Sequence, residues 1–599
     1  MSQIVSRIAE AVSEYLTDPS RTHLFDAISI YNTVEQANEG LHRLTGIRGF
    51  FPDGEAFEEL QRLLLSSTPT VGDRRNREWG DFQTPPGLAS QVCRCLLETG
   101  ISPRIIIEPT YGTGNFIFAA LRSFPKAGLV YGVEVQDRYE WHFKLALLMQ
   151  ILRDRRPSAE IELHQDDIFT HRFPEEVLGA QEVLIIGNPP WVTNAELGAL
   201  GASNLPSKRN IKALNGLDAM TGKSNFDIGE FILLRMLELF SERRGTLAML
   251  CKNSVVKNIV EALPQRKFKV SNIRAYGIDA NREFGASVEA SLLFMTMGAS
   301  SPTFSCQATS FNNPEQVIRT FGWTRDRFVS NVENYEKTCE FDGESPMVWR
   351  QGLKHDCVKV MELDDAEGNL VNQNGEIVEV EERWLYWLLK SSDIRTFEVD
   401  RARKKVVVTQ RHIGADTSHL QVDAPKLWTY LLKNSEYLER RKSSIYRGMP
   451  PFSIFGIGEY SFKPYKVAIS GLYKQPYFSL VLPIDNRPVM LDDTCYFLGF
   501  DSYLNGLFTA SILNSSEVQR FLQSVVFSDA KRPYTKEVLM RIDLLQVVVR
   551  LSFQILRDFW KSIGYRPKVL VKESDFEVYS QLLTGMRKGQ QASQMSLSL

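Results

Sequence analysis

No apolar run in this chain approaches the roughly 18 to 20 residues that would cross a bilayer as a helix, so a helical membrane span is excluded. The first residues, MSQIVSRIAEAVSEYL, carry charge through a helical pattern and read as no signal peptide. Cysteine is scarce: seven in 599 residues, an odd number, with no C-x-x-C pair and the nearest two, Cys93 and Cys95, in a helix-like stretch. That excludes the common zinc and disulfide frameworks and fits thiols kept reduced in a cytoplasm, with no metal. A positive excess is missing too, because 70 Lys and Arg face 72 Asp and Glu. Any polyanion partner must therefore be met by a local concentration of charge. No internal repeat is present.

With 43% hydrophobic and 24% charged residues, the composition is that of a globular protein, and the length calls for more than one core. Residues 1–75 read as a helical N-terminal extension, with Phe57, Leu60, Leu63 and Leu64 at helical spacing. Residues 76–300 form the next domain, in which from about 102 short β-branched runs alternate with amphipathic stretches. The strand candidates are Arg104–Ile107, Leu129–Val133, Glu160–Leu163, Val183–Ile186 and Thr246–Leu250. This pattern predicts an α/β domain built on an open parallel sheet. From 301 to 575 the alternation is lost and an α+β domain is expected, followed by a polar, disordered tail over 576–599. Residues 401–475 hold fourteen Lys and Arg against five Asp and Glu, a basic stretch suited to a negative partner.

The run Ile105 to Glu108 and Pro109 enters Thr110-Tyr111-Gly112-Thr113-Gly114-Asn115-Phe116 and then a helical stretch. Strand, glycine-rich turn and helix place a ligand at the carboxyl edge of a sheet, since Gly112 and Gly114 allow a tight turn. Ile117 stands where a dinucleotide fingerprint wants a small residue, so the loop suits a nucleoside without a pyrophosphate. Glu134 closes the next strand and can accept both ribose hydroxyls, and Asp167, with Ile168 beside it, closes the one after, where a carboxylate can accept an adenine amine.

Past the fourth strand comes Asn188-Pro189-Pro190-Trp191. An exocyclic amine such as that of adenine is a poor nucleophile because its lone pair is delocalised into the ring. Two fixed acceptors, the Asn188 side-chain oxygen and the Pro189 carbonyl, can draw it toward tetrahedral geometry, and paired prolines stiffen the loop that presents them.

These motifs together resemble the DNA amino-methyltransferases of restriction-modification type, in the class where cofactor motifs precede the catalytic motif and a target-recognition domain follows. Thr110–Phe116 is similar to that family's cofactor loop, Asp167-Ile168-Phe169 to its adenine-contact motif, and Asn188–Trp191 to its catalytic tetrapeptide. Gly80-Asp81-Phe82-Gln83-Thr84-Pro85-Pro86 is similar to the segment that meets the methionine end of the cofactor. Leu388–Asp393, Phe452–Gly456 with Tyr460–Lys474, and Lys531–Thr535 are similar to segments of restriction-associated adenine methylases.

The resemblance implies a Rossmann-like class I methyltransferase sheet, S-adenosylmethionine as cofactor, and double-stranded DNA methylated at adenine N6. It implies cofactor contacts from Thr84, Glu108, Pro109, Tyr111, Gly112, Gly114, Phe116, Glu134, Asp167 and Ile168, and catalysis by Asn188, Pro189, Pro190 and Trp191. Trp191 would stack on a base flipped from the duplex, although Tyr or Phe is commoner there. DNA contacts are expected from Arg403, Lys404, Lys405, Arg441, Lys442, Lys463, Lys466, Lys474, Lys531 and Arg532. A cognate restriction endonuclease is an expected partner, and no fused nuclease is visible. Protein-glutamine or RNA methylation, and a non-catalytic DNA-binding protein on the same fold, are the alternatives.

Overall fold

The β-branched runs of the first half become the middle of one sheet. The computed structural model describes residues 7–13, 20–65, 82–153, 158–192, 227–366 and 368–597. The chain forms two compact units, Met1–Phe328 and Val329–Leu599.

In the first unit the strands are β1 (Ile105–Glu108), β2 (Leu129–Glu134), β3 (Glu160–Gln165), β4 (Val183–Gly187), β5 (Gly245–Lys252), β6 (Val270–Ile278), β7 (Ala290–Met297), β8 (Ser305–Ser310), β9 (Asn313–Thr324) and β10 (Arg327–Val329). The helices are α1 (Arg7–Ser13), α2 (Ser20–Ser29), α3 (Val34–Thr45), α4 (Gly54–Leu65), α5 (Pro86–Glu98), α6 (Asn115–Ser123), α7 (Asp137–Arg153), α8 (Glu175–Leu178), α9 (Ile228–Phe240), α10 (Asn253–Arg266) and α11 (Ala280–Phe284). All five expected strands form.

The sheet runs β10-β9-β8-β6-β7-β5-β4-β1-β2-β3. β3, β2, β1, β4 and β5 are parallel neighbours, whereas β7 lies antiparallel between β5 and β6. This is the class I methyltransferase arrangement. Strand order reverses between β1 and β4, whose register pairs Ile107 with Ile185. A ligand crevice opens outside the carboxyl ends of strands at such a switch point. Glu108 ends β1 and Asn188 follows β4, so pairing brings these residues, far apart in sequence, to one crevice.

Two boundaries differ from expectation. The sheet does not stop at 300, because β8 to β10 extend it. β9 is exposed over half its length and shows no regular alternation of burial, so it lacks the alternating apolar signal of a half-buried strand. The helices of the first 75 residues are no separate extension either. Ile8, Leu24, Leu41 and Phe57 share one core with Phe143 and Leu147 of α7. Ile161 donates its N–H to the Gly46 carbonyl and accepts from Arg48 N–H, at 2.9 and 3.1 Å, which covers the outer edge of β3.

The second unit holds two five-stranded sheets and a helical C-terminal part. The segment expected as a disordered tail belongs to a helix, Glu573–Leu597, whose Phe576, Tyr579 and Leu583 enter the core of this unit. Among the described residues no helix is long and apolar enough to cross a membrane.

Candidate active site

One cleft of about 1100 Å³, its open mouth included, collects almost every residue that the motifs pointed to. Thr84, Glu108, Pro109, Tyr111, Gly112, Phe116, Glu134, Asp167, Ile168, Asn188, Pro189 and Pro190 all line it. Gly114 and Trp191 do not.

The turn after β1 holds Gly112 at φ 50° and Gly114 at φ 78°, where a side chain is strained. A Cβ on Gly112 would strike the Gln83 amide, and one on Gly114 the Phe143 ring. These glycines therefore admit neighbouring side chains, whereas the motif alone suggested that they admit the ligand. Glu134 is fixed by the same turn: one carboxylate oxygen accepts from Gly112 N–H at 2.9 Å and the other from Gln136 N–H at 2.8 Å. Asp167 accepts from Phe169 N–H at 3.0 Å, and its own N–H is held by Asp166 at 2.8 Å. Asp166 in turn bonds His171, whose other ring nitrogen meets Tyr131 Oη, both at 2.8 Å.

Four polar atoms on the cleft wall are buried without a partner among the described residues: Glu108 Oε2, Thr110 Oγ1, Tyr111 Oη and Asn188 Oδ1. Burial, with the nearby Glu134 charge adding to it, pushes the Glu108 carboxyl well above its ordinary range, against the pull of Ile117 N–H. Buried polar groups are ordinarily bonded, and four orphans on one wall mark a site shaped for a polar ligand.

Asn188 Nδ2 donates to the Phe82 carbonyl at 3.0 Å. A carbonyl only accepts, so the amide has one sensible orientation, with Oδ1 left as an acceptor on the cleft. α9 seats the turn after β4 from the other side. Ile228 N–H donates to the Val192 carbonyl at 3.0 Å, and Asp227 caps Gly229 N–H while pairing with Lys252 Nζ at 2.6 Å.

Trp191 needs correction. Its ring is 5% exposed and packs against Phe82 and Phe284, with centroids at 5.8 and 5.0 Å. Pro190 and Val192 line the cleft on either side of it while Trp191 is turned into the core. The ring is therefore a packing element here and no platform for a base. Trp191→Ala should cost about 3 to 5 kcal/mol of stability, whereas Trp191→Phe should be milder; chemical denaturation of both variants checks this.

Several wall residues were not singled out in the sequence. Gln83, Asn115 and Phe169 sat inside quoted motifs without a role, and Asp166 beside one. Tyr139, Val192, Ile228 and Ile232 lie outside every motif, and the folded chain brings them to the cleft. Gly80 and Asp81 lie outside the described residues. Among the described residues no group of three or more His, Cys, Asp or Glu is placed to hold a metal.

The expected DNA contacts fall in the second unit and divide sharply. Lys442, Lys474 and Lys531 are exposed. Arg403 pairs with Asp393, Lys404 with Asp364 at 2.7 Å, Lys463 with Asp501, and Arg532 with Asp493 at 3.9 Å. All four acids lie outside 401–475, so a count along the chain missed the charges that folding sets against these cations. Lys405 lies over the Trp387 ring at 4.8 Å. Arg441 is half-buried, donates to the Leu438, Ser453 and His355 carbonyls, and lies over Tyr446, which makes it a brace of its own unit.

Lys466 is a second correction: it is 1% exposed, and its ammonium donates to the Lys463 carbonyl at 2.7 Å. Burial pushes it down to about 7 from 10.5. The unfolded chain then binds the extra proton between those values, so stability rises with pH from about 7 toward 10.5. Lys466→Met should remove that rise, gaining most at pH 7 and below and nothing above 10.5. It should also leave the salt dependence of DNA binding untouched. Denaturant melts across pH and a salt titration test both.

No family model matches the chain. It is 38% identical over 476 residues to the type II methyltransferase M.NspV of Nostoc sp., covering 79% of this chain and 97% of that one. Among solved structures it is similar to the type IIL restriction-modification enzyme MmeI in complex with DNA, at 13% identity and a TM-score of 0.49, over 96% of this chain and 93% of that one. It is also similar to the type IIG restriction endonuclease BpuSI, at 13% identity and a TM-score of 0.35, over 97% and 77%.

Proposed function

The chain belongs to the type II methyltransferases, the family of its Nostoc relative, and from that premise we propose that it methylates the N6 amine of adenine at a fixed sequence in double-stranded DNA. The observation that carries the reading is the shared cleft. A nucleoside pocket walled by Glu134 and Asp167 continues to Asn188, whose unpartnered Oδ1 is an acceptor fixed in place.

The unpartnered atoms fit S-adenosylmethionine as the methyl donor. Glu108 Oε2 can accept from its ammonium, whose positive charge would also favour the ionised carboxyl that burial disfavours. Glu134 holds the ribose hydroxyls, Asp167 the adenine amine, and Ile168 and Phe169 offer apolar surface to the ring. When bound, the cofactor supplies an electrophilic methyl group on a sulfonium. Asn188 Oδ1 and the Pro189 carbonyl accept hydrogen bonds from the two N–H groups of the target amine, draw its lone pair out of conjugation with the ring and aim it along the cleft, and the methylated nitrogen then loses one proton to solvent. A base in a duplex cannot reach these acceptors while stacked, so the target must be extruded. Asn at position 188 supports adenine as the target within the resembled family, and type II membership supports a role beside a cognate restriction endonuclease.

Single-molecule sequencing of DNA from cells expressing the protein reports modified base and site together. N6-methyladenine at one recurring sequence is the expected result. Cytosine methylation, or label from the donor found only in RNA or in protein glutamine, would overturn the reading.

A further inference from the structure

We propose that Gln83 is a positioning residue for methyl transfer, bracing a strap of Phe82, Gln83 and Thr84 that locks the Asn188 amide with its oxygen toward the substrate. The proposal rests on the function proposed above and adds a residue that the catalytic motif does not contain.

The three residues lie ahead of α5, and each makes a different tie. The Phe82 carbonyl accepts from Asn188 Nδ2 at 3.0 Å. Gln83 Oε1 accepts from both Thr113 N–H and Thr113 Oγ1, at 2.9 and 3.0 Å. The Thr84 carbonyl accepts from Asn115 Nδ2 at 2.9 Å, and the same nitrogen reaches Thr113 Oγ1 at 3.1 Å. The strap thus joins the loop after β1 to the turn after β4, across the switch point of the sheet. Its Phe82 ring is wedged against Trp191 and Phe284, with centroids at 5.8 and 6.1 Å. Gly112 supports the same reading, because the space that its missing side chain leaves is filled by the Gln83 amide.

The consequence is electrostatic. Turned half round, the Asn188 amide would set its oxygen against the Phe82 carbonyl and present N–H donors to an amine that is itself a donor. Only one orientation catalyses, and a fixed Phe82 carbonyl enforces it. Gln83 is the side chain that holds this carbonyl's neighbour to the cofactor loop, and it does so as an acceptor alone in both Thr113 bonds. Preorganised acceptors supply catalytic power because they need no reorganisation at the moment of reaction, so loosening the strap should appear in the rate of the chemical step.

The test compares Gln83→Leu, which keeps bulk and removes the acceptor, with Gln83→Glu, which keeps Oε1 beside the N-terminus of α6, where negative charge is tolerated. Single-turnover methylation is measured with S-adenosylmethionine and DNA both saturating, and cofactor affinity is measured by calorimetry. Gln83→Leu is expected to slow the chemical step about tenfold or more, and Gln83→Glu to restore most of the rate. Thr113→Val, which deletes one donor from the other side, should slow it less, and the double variant Gln83→Leu with Thr113→Val should be no slower than Gln83→Leu alone, since both break one contact. An unchanged rate at saturation, with loss only in cofactor affinity, would make the strap a binding element and overturn the proposal. So would a Glu variant as slow as the Leu variant, or fully additive losses in the double variant. A wild-type protein that leaves DNA adenine unmodified would sink the functional reading instead, so the two failures are distinct.

Discussion

Asn188→Ala should reduce methyl transfer by about 10²-fold or more while cofactor binding stays close to wild type. The amide oxygen is a preorganised acceptor, and loss of one such hydrogen-bonding group from a catalytic site costs on the order of 10² to 10³ in rate. Glu134 and Asp167, the walls proposed for the nucleoside, are anchored by backbone N–H groups of their own loops and do not lean on Asn188. Asn188→Asp is the sharper variant. It preserves size and an acceptor, yet it removes the donor that the Phe82 carbonyl requires and sets a carboxylate oxygen against that carbonyl. It should be as slow as the Ala variant near neutral pH, where the carboxylate is ionised. Single-turnover assays with labelled methyl donor, beside calorimetry of cofactor binding, separate the two effects. An Ala variant that methylates at near the wild-type rate would remove Asn188 from the catalytic role.

The parts of this molecule that could be read in sequence are those where one residue pattern has one physical solution. Ile105–Glu108 and Val183–Gly187 are buried strands, and an apolar β-branched run bounded by turn residues says so locally. The glycine turn announces the ligand edge of the sheet. That Glu108 and Asn188 share a cleft depends on β1 pairing with β4, a choice made by the whole sheet. The far strands were illegible for a different reason: β9 is exposed over half its length with no regular alternation of burial to detect.

The errors share one cause, which is that a motif names a residue type and leaves its facing open. Trp191 follows the prolines as an aromatic residue should, but Phe82 and Phe284, brought in from distant segments, give its ring a packed site away from the cleft. Lys466 counted as one more surface cation in a basic stretch, although it sits in a strand buried from Lys466 to Ser470. Asp364, Asp393, Asp493 and Asp501 neutralise neighbours that looked free along the chain.

Glu134→Gln should weaken cofactor binding by about tenfold or more, since hydrogen bonds to charged groups contribute roughly 1.5 to 3 kcal/mol and about 1.4 kcal/mol is tenfold in affinity. The mechanism is specific to how this carboxylate is held. Both oxygens already accept a backbone N–H, from Gly112 and Gln136. An amide can satisfy only one of these and must turn its NH₂ toward the other donor, so the turn that carries Gly112 shifts as well as the ribose contact. Asp167→Ala should weaken binding less, because Asp167 is only partly buried and water can replace some of what it offers. A second consequence reaches Glu108, whose carboxyl burial and then the Glu134 charge push above its ordinary range. With that charge gone, Glu108 should ionise at lower pH. A raised carboxyl binds protons that the unfolded chain releases, so the wild type loses stability as pH climbs above the ordinary carboxylate range; the Gln variant should lose less of it. Calorimetric titration of S-adenosylmethionine into wild type and both variants, with denaturant melts across pH for Glu134→Gln, measures both effects. Equal affinity in all three proteins would displace the cofactor from this wall of the cleft.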